Sequence, residues 1–429
     1  MRKASSPLLL LLFFAFLLSI AVGYGLAQTE PMAQSEQPAQ VEESSIFDGI
    51  TKGKERLQRE WQDFRQSIHY TTSVRVITVG DIMVHDNQLQ AAFISPEAGY
   101  QFDSYFTEVS PIFAEGDWVL GNLETTLAGS DKGFTGYPQF NSPAELAVAL
   151  KNAGFNVITT ANNHSLDRRE VGVLRTLDRL DEQGFLYTGT FRSEAERNEP
   201  LLLTKNNITI ALFAYTYGTN GIPIPNGKDY LVNLIDLEQM KADIVKARQA
   251  GADVIAMAVH FGNEYQREPS VQQVTLVDQL FAAGVDIIYG SHPHVVQPFE
   301  IRTWEDEAGK EHQGVVIYSL GNFISDQRGD YKDLGLIFDL TIEKEYPSQK
   351  VIFKQVEAIP TYVNRYWQDG KRIYRILPLE QVVKDQGAEG LTAQQITQLE
   401  KYHEELRGHV HSRLGENVFQ FLRTPPVEK

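Results

Sequence analysis

The sequence predicts an α/β protein with one main layered domain over residues 73–360, and two observations predict it. Between Val74 and about Glu343, short runs rich in Val, Ile, Phe and Tyr alternate with segments of helical spacing, which is typical of a layered α/β fold. Side chains that bind metals follow directly after several of the apolar runs, where the strands of such a sheet end and carry chemistry. The sequence therefore predicts a hydrolytic metal centre at the carboxyl ends of strands.

The individual elements follow from their length, their periodicity and their start signals. The helical segments at 143–153, 237–250 and 270–283 begin with Ser or Asp as the N-cap residue or with Pro near the start, which are the expected start signals. We predict strands at 74–80, 117–121, 156–161, 208–216, 254–260, 286–290, 315–320 and 335–342, and helices at 143–153, 168–183, 237–250 and 270–283.

The N-terminus has the pattern of an export signal. Cations in residues 1–3 precede an apolar stretch from Leu8 to Val22, and residues 25–27 resemble a small-residue cleavage site. We predict that residues 1–27 are a signal peptide or an uncleaved N-terminal membrane anchor. The protein is therefore expected to be periplasmic or extracellular, either secreted or held at the membrane.

The remaining segments differ from the main domain in composition. Residues 28–45 are rich in Gln, Glu, Pro and Ser, which predicts a disordered linker. Residues 46–72 have helical apolar spacing and are predicted to form a lead-in helix. Residues 361–429 are predicted to form a small C-terminal appendage with a helix at 392–407.

Charge and cysteine content restrict the partners and the chemistry. The chain of 429 residues has a formal net charge of −17 and no Lys/Arg clusters, which argues against nucleic acid as a partner. An anionic substrate would therefore need local positive charge from bound cations and a few nearby Arg or Lys side chains. The chain has no cysteine, so a disulfide framework and a thiol nucleophile are both excluded.

Two strand ends place carboxylates at the edge of the predicted sheet. Asp81 follows an apolar run and a glycine, and His85 lies on the same loop. Asn122 and Glu124 repeat this arrangement after the next run. For each of these residues a turn stabilised by its own side chain, or a solvated loop histidine, is the alternative to a metal ligand.

The next strand ends supply amides and imidazoles. Asn162, Asn163 and His164 follow the run at 156–161. Burying these polar side chains costs free energy unless a ligand or the protein supplies their hydrogen-bond partners. An Asn-rich turn is the alternative for this segment. His260 ends the run at 254–260, where a single buried histidine would ordinarily be structural.

The segment from Gly290 to His294 has the strongest local signal. His292 and His294 lie two positions apart directly after a strand, so both imidazoles can reach one site, and neutral imidazole is a preferred ligand of several divalent metals. His409 and His411 have the same spacing without a preceding strand, and we predict that they lie on the surface.

In their order along the chain, these residues resemble the calcineurin-like metallophosphoesterases, and more closely their CapA-type branch, which acts in poly-γ-glutamate capsules. The resemblance implies a four-layer α/β/β/α sandwich, with two sheets packed face to face and helices outside, to which the composition after residue 360 adds the small C-terminal helical appendage. It covers about residues 74–325, and its motifs are Gly80-Asp81-Ile82-Met83, Gly121-Asn122-Leu123-Glu124, Ala161-Asn162-Asn163-His164, Val259-His260-Phe261-Gly262-Asn263-Glu264, Gly290-Ser291-His292-Pro293-His294-Val295 and Ser319-Leu320-Gly321-Asn322-Phe323.

The resemblance also implies roles for individual residues at a site for one or two divalent ions such as Mn, Zn or Fe. His164 would be the catalytic acid or the group that stabilises the transition state. Asn122, Asn162, Glu264 and Asn322 would contact substrate or orient the ligands. For the metals, Asp81 and His294 would hold one ion, Asn163, His260 and His292 would hold the other, and Glu124 would bridge them, with His85 as a nearby further ligand.

The chain departs from the family pattern at two of these positions. Met83 stands where the wider family has a histidine two residues after the first aspartate, and Glu124 replaces the bridging aspartate. A third position, Ser291, is often a histidine in this branch. These departures bear on how one of the two metal sites is built.

The function that the resemblance implies is an exported, metal-dependent hydrolase of an amide or phosphoester. It would act in the synthesis, release or anchoring of an extracellular anionic polymer such as poly-γ-glutamate. One alternative is a non-catalytic accessory subunit that binds polymer beside membrane-bound capsule synthase subunits. The other alternative is a periplasmic metallophosphoesterase that cleaves simple phosphoesters.

Overall fold

The computed structural model describes residues 51–61, 68–305, 311–415 and Leu422. The chain divides into two compact units, Met1–Arg65 and Gln66–Lys429. The predicted signal segment and linker lie outside the described residues. In the first unit residues 51–61 are helical, and we label this helix α1. Within the described part of the chain, every helix is too short or too polar to cross a membrane.

The second unit contains all the strands that the structure describes. They are β1 Tyr70–Ile82, β2 Phe93–Ser95, β3 Gly99–Tyr100, β4 Trp118–Leu123, β5 Val157–Thr159, β6 Leu186–Thr188, β7 Leu201–Lys205, β8 Ile208–Thr216, β9 Val254–His260, β10 Ile287–Ser291, β11 Phe299–Glu305, β12 Glu311–Ile317, β13 Asn322–Ile324, β14 Leu334–Tyr346, β15 Val351–Gln368 and β16 Lys371–Pro378.

The helices of this unit lie mostly between consecutive strands. They are α2 Asp86–Ala92, α3 Ser110–Phe113, α4 Glu145–Ala153, α5 Arg169–Glu182, α6 Glu194–Asn198, α7 Leu237–Gln249, α8 Val271–Ala282, α9 Leu379–Asp385 and α10 Ala393–Val410, with short 3-10 turns at Asp103–Phe106, Ser130–Lys132 and Asp229–Leu231.

Two large mixed sheets carry the fold. The first has the order β16-β15-β14-β1-β4-β5-β6, and β13 pairs with the end of β1. Its strands β1, β4, β5 and β6 are parallel, whereas β14, β15 and β16 are antiparallel to their neighbours. The second has the order β11-β12-β10-β9-β8-β7, with parallel strands at its centre and antiparallel strands at both edges.

Three hydrophobic cores separate four layers. One core joins α4 and α5 to the outer face of the first sheet, the central core lies between the sheets, and the third joins α7 and α8 to the outer face of the second sheet. On β1, Val74 and Val76 belong to the central core and Ile77 and Val79 to the outer one, because successive side chains of a strand point to opposite faces. Each of these side chains contributes roughly 1.5–3 kcal/mol when fully buried. The predicted four-layer α/β sandwich is thereby confirmed.

The chain continues in one strand through the domain boundary that the sequence predicts after residue 360. β15 is continuous across that position, and β16 extends the same sheet. Leu399 and Leu406 of α10 pack into the central core, so the C-terminal segment is part of the main domain. Residues 361–368 mix aromatic, polar and charged side chains, and this composition hides the alternation that identifies a strand.

The predicted lead-in helix at 46–72 is shorter in the structure. Residues 51–61 are helical, whereas Tyr70 begins β1 and residues 68–69 are not helical. The remainder of the predicted helix lies outside the described residues.

Two glycines allow the chain to cross between the sheets directly below the strand ends. A Cβ atom on Gly80 would lie 1.9 Å from the carbonyl oxygen of Gly321, and one on Gly290 would lie 1.9 Å from that of Tyr318. The segment that follows β12 passes through this gap, where the backbone amide of Asp81 donates to the Gly321 carbonyl at 3.0 Å. Glycine is therefore required immediately before the strand ends that carry polar side chains.

We expect Gly80→Ala to lower the free energy of unfolding by about 1–3 kcal/mol, because the added methyl group overpacks a contact with backbone. Gly408→Ala is the matched control, since a Cβ atom there meets nothing within 4 Å. In helix α10 that control should stabilise by roughly 0.5–1 kcal/mol. Urea unfolding of both variants tests this, and equal midpoints would contradict the proposed close contact.

Candidate metal site

The predicted ligand residues converge because the strand ends that carry them face each other across the sandwich. The backbone amide of His292 lies 3.3 Å from Asp81 Oδ2, although the two residues are 211 positions apart in the chain. We call the converging set the ligand cluster. It consists of Asp81, Glu124 and Asn163 from the first sheet and His260, His292 and His294 from the second, all of them at most 5% exposed.

Buried amides fix the orientation of Asp81. The amide nitrogen of Asn122 donates to Asp81 Oδ1 at 2.8 Å, and Asn162 donates in turn to the side-chain oxygen of Asn122 at 3.2 Å. Burial opposes ionisation of Asp81, but the neighbouring His294 imidazole, with Asn122, holds the pKa of Asp81 below its usual value. Asn122 and Asn162 are therefore positioning residues, and Asp81 presents its remaining oxygen to the cluster.

Glu124 lies at the centre of the cluster and is fully buried. Neither of its carboxylate oxygens has a hydrogen-bond partner among the described residues. Its Oε1 atom is 3.5 Å from His260 Nε2 and 3.9 Å from His294 Nε2, distances longer than hydrogen bonds. Burial, together with the adjacent charge of Asp81, raises the pKa of Glu124 well above its usual value. A cation among these atoms would satisfy a carboxylate that is otherwise costly to ionise.

His294 is held so that its Nε2 atom faces Glu124. Its Nδ1 atom lies 3.0 Å from the side-chain oxygen of Asn322 and 3.3 Å from Asp81 Oδ2. Because both neighbours are acceptors, we assign the hydrogen to Nδ1, which leaves the lone pair on Nε2. The amide nitrogen of Asn322 donates to the carbonyls of His294 and Lys332, so Asn322 is a positioning residue without exposed surface.

His260 and Asn163 form a second pair beside Glu124. His260 Nε2 is 3.0 Å from the side-chain oxygen of Asn163, and its Nδ1 is 2.8 Å from the hydroxyl oxygen of Ser291. Burial and the neighbouring His292 lower the pKa of His260 well below its usual value. The imidazole is therefore neutral, which is the form that binds metals.

His292 lies on a strained backbone at the mouth of the cluster. Its φ is 99° and that of His294 is 57°, a region that side-chain-bearing residues rarely adopt. Burial lowers the pKa of His292 to about 4, and its Nδ1 atom has no hydrogen-bond partner among the described residues. Glu264 lies on the exposed side of both imidazoles. Its oxygen lies within 4.8 Å of their nitrogens, so Glu264 is a further candidate ligand rather than only an orienting group.

His164 has a partner that the sequence analysis missed. Its Nδ1 atom lies 2.7 Å from Asp167 Oδ2, and the backbone amide of Phe140 donates to that same oxygen at 2.6 Å. The ring edge packs against Phe140, with the ring centroids 4.7 Å apart. The carboxylate holds a hydrogen on Nδ1 and leaves Nε2 available. The signal for this pairing was the spacing of three positions between His164 and Asp167.

His85 stands apart from the ligand cluster. It precedes α2, where its backbone amide donates to the Gln88 side chain, and its Nδ1 atom accepts from the Asp326 amide at 3.3 Å. Burial lowers the pKa of His85. The groups of carboxylates and imidazoles within ligand distance of one another in the described residues include neither His85 nor His260, but His260 Nε2 lies 3.5 Å from Glu124 Oε1. His85 therefore serves the loop that supports Asp326.

His409 and His411, the histidines near the C-terminus with the same two-residue spacing, are more buried than predicted. His411 is only 9% exposed, because its Nδ1 atom lies 2.7 Å from the Arg407 carbonyl and its ring packs on Phe299. His409 is half-buried and contacts the Arg267 carbonyl at 3.1 Å. The prediction that both are surface residues is wrong for His411, because α10 packs against the central core.

The cluster fits a divalent cation. Asp81, Glu124 and His294 offer ligand atoms that all lie within 4.8 Å of one another, and Glu264, His292 and His294 form a second such group. Carboxylate, amide and neutral imidazole donors suit zinc, manganese and iron alike. Both carboxylate oxygens of Glu124 lack a hydrogen-bond partner among the described residues, and a bound cation would supply one.

The fold and the site define a four-layer α/β protein with candidate divalent-metal ligands where two sheets meet. The chain belongs to the family described as bacterial capsule synthesis protein PGA_cap, whose model matches residues 75–327. That region contains the whole ligand cluster. The resemblance to CapA-type proteins that the motifs indicate is thereby confirmed.

Two capsule biosynthesis proteins agree with this assignment. Capsule biosynthesis protein CapA of Bacillus anthracis is 30% identical over 237 residues, which are 53% of this chain and 55% of that protein. PGA biosynthesis protein CapA of Bacillus subtilis (strain 168) is 31% identical over 235 residues, 52% of this chain and 57% of that protein. The chain thus spans little more than half the length of these relatives. Among solved structures, a phosphatase from Mycoplasma pneumoniae is similar with a TM-score of 0.41 and 16% identity, over 72% of this chain and 96% of that chain.

We expect Glu124→Gln to separate metal binding from stability. Without metal the variant should be at least as stable as the wild type, because it no longer buries an unpaired acid. Mn²⁺ at a hundredfold excess over its Kd should stabilise the wild type by about 2.7 kcal/mol and the variant by much less. Thermal unfolding with and without Mn²⁺ tests this. Glu182→Gln on the exposed surface of α5 is the control, and equal Mn²⁺ responses in both variants would exclude Glu124 as a ligand.

Proposed function

We propose that this protein is an exported, metal-dependent hydrolase that acts on an extracellular anionic polymer of the poly-γ-glutamate type during capsule synthesis, release or anchoring. The observation that carries the proposal is the buried Glu124 carboxylate, which has no hydrogen-bond partner among the described residues and lies 3.5 Å from His260 Nε2 and 3.9 Å from His294 Nε2. A structural carboxylate in a core would be hydrogen-bonded. A carboxylate left without partners at converging strand ends supports a binding centre.

The cluster divides into two halves around Glu124. Asp81 and His294 would hold one divalent ion, Asn163, His260 and His292 would hold the other, and Glu124 would lie between them. Bound ions at such a site activate water and polarise the bond to be cleaved. The protein supplies the fixed ligands, since Asn122, Asn322 and Ser291 each hold a cluster residue through a hydrogen bond.

His164 is the candidate proton donor to the leaving group. Asp167 fixes the hydrogen on Nδ1, so the Nε2 atom is the one that can hold or release a proton toward substrate. The imidazole is 4% exposed and braced by Phe140, which restricts it to one orientation. This arrangement supports a catalytic role over a purely structural one.

Capsule polymer as the substrate rests on the family and on charge. The family is described as capsule synthesis, and one relative is named a PGA biosynthesis protein. A chain with a net charge of −17 repels polyanions in general, so bound cations would supply the local attraction. The N-terminal segment predicted as signal or anchor would place the site outside the cytoplasm, beside membrane-bound capsule synthase subunits.

A second candidate is a non-catalytic subunit that binds polymer, and one observation favours it. Met83 occupies the place of a family histidine and is 2% exposed, so it offers an apolar side chain near Asp81. His85, the nearest imidazole in sequence, is engaged with Asp326. The half of the site around Asp81 and His294 therefore has fewer ligands than the other half.

A periplasmic phosphoesterase is the third candidate, and its substrate would be a simple phosphoester rather than a polymer.

Metal content and cleavage test the proposal together. We expect purified wild type to hold about two divalent ions and His292→Ala to lose at least one of them, because each site depends on all of its ligands. His69→Ala, at an exposed position before β1, is the matched control and should keep its metal. Elemental analysis measures the ions, and the same samples are assayed against poly-γ-glutamate and a generic phosphoester.

The possible results separate the three candidates. Cleavage of poly-γ-glutamate that disappears in His292→Ala supports the hydrolase, and cleavage of the phosphoester alone supports the phosphoesterase. Polymer binding without cleavage supports the accessory subunit. A folded wild type that holds no metal after purification without chelator would overturn the metal-centre proposal.

A separate prediction concerns His164. We expect His164→Gln to lower the cleavage rate by about 10²–10⁴-fold, the usual contribution of a general acid, while metal content stays at the wild-type level. Loss of metal in this variant would instead show that His164 belongs to the ligand set. Steady-state kinetics and elemental analysis on one preparation distinguish the two results.

A further inference from the structure

Three exposed tyrosines surround the mouth of the candidate site. Tyr137 is 72% exposed, Tyr217 is 50% exposed and Tyr265 is 47% exposed. The Tyr217 ring centroid lies 4.6 Å from that of His292, and the Tyr265 centroid lies 6.2 Å from that of His294. Single exposed aromatic residues are common on proteins, but three around one polar site form a surface.

The backbone ties each tyrosine, or its loop, to a residue of the site. The Tyr217 amide donates to the His260 carbonyl at 3.1 Å, and the Tyr265 amide donates to the Pro293 carbonyl at 2.7 Å. The loop of Tyr137 continues to Phe140, whose amide donates to Asp167 at 2.6 Å. The Tyr137 ring centroid lies 6.5 Å from that of Phe140, which packs on His164, so all three exposed rings lie near the site.

A cation completes this surface. The ammonium group of Lys332 lies 5.1 Å from the centre of the Tyr265 ring, and the Lys332 carbonyl accepts from Asn322, which also holds His294. Its anionic neighbour Asp330 is 3.5 Å away and 91% exposed, so the pair is weak. Lys332 is thus a fixed positive charge at the mouth of a strongly acidic protein.

We infer that Tyr137, Tyr217, Tyr265 and Lys332 form a binding rim for several consecutive units of a carboxylate-bearing polyamide chain. This inference rests on the proposed function and adds the residues that would select a polymer over a small ester. Tyrosine rings stack on amide planes and methylene groups while their hydroxyls stay hydrated, and the ammonium pairs with a carboxylate. A small phosphoester would reach only the metal ligands, whereas an extended chain would cover the rim.

The test measures affinity rather than cleavage, so it does not depend on the hydrolase being active. Fluorescence anisotropy follows the full chain, in the His164→Gln background, binding to fluorescein-labelled poly-γ-glutamate of short and long chain length. Tyr137→Ala and Tyr265→Ala should each weaken binding of the long oligomer about threefold to tenfold, the effect of one aromatic contact. They should change binding of the short oligomer less. Tyr137→Phe, which keeps the ring, should retain most of the affinity.

Two further variants complete the test. Lys332→Met should weaken binding and flatten its salt dependence, because one screened charge pair is lost. Tyr70→Ala is the control, since Tyr70 is 47% exposed at the opposite end of β1. Wild-type affinity in every folded rim variant would overturn the inference. Binding of a polyuronate or a nucleoside monophosphate by a wild type that does not bind poly-γ-glutamate would also overturn it.

Discussion

The carboxylate of Glu124 is the constraint on which the rest of the site depends. A buried, unpaired ion costs several kcal/mol, which is a large part of the 5–15 kcal/mol that keeps a typical domain folded. The protein can meet this cost by protonating the group, as its raised pKa indicates, or by binding a cation. The Nε2 atoms of His260 and His294 lie 3.5 Å and 3.9 Å from Glu124 Oε1. The surrounding residues therefore favour binding of a cation beside Glu124.

The backbone that holds these side chains in place is strained at one position. The backbone of His292 has a φ of 99°, and strain of this kind costs roughly 1–3 kcal/mol and persists only where neighbours enforce it. The amide of His292 contacts Asp81 Oδ2, and the next carbonyl along, that of Pro293, accepts from the Tyr265 amide. Gly80 and Gly290 let the two sheets approach closely enough for these contacts to form. The backbone is therefore locally strained where it orients the candidate ligands.

Much of this could be predicted from the sequence, because strand periodicity and strand-end polarity are local signals. The predicted strand at 208–216 and that at 254–260 match β8 and β9 to the residue, and the ligand cluster comes together as the strand order requires. Its role in metal binding stays a prediction. Contacts that depend on loops and on packing between distant segments could not be predicted from the sequence. Asp326 engages His85 across 241 positions, and the C-terminal helix buries His411 against Phe299, although neither pairing leaves a periodic pattern.

The two halves of the cluster are unequal, and this bears on how the site would work. Around His260 the proposed donors are Asn163, His292 and the shared Glu124. Around Asp81 the donors are His294 and Glu124, with Met83 where a further imidazole would stand. The ligand atoms of Asp81, Glu124 and His294 nevertheless lie within 4.8 Å of one another, so the number of side chains alone does not rank the two halves. The accessory and hydrolytic candidates share this one cluster, and they differ in whether both halves would hold an ion that supplies water activation.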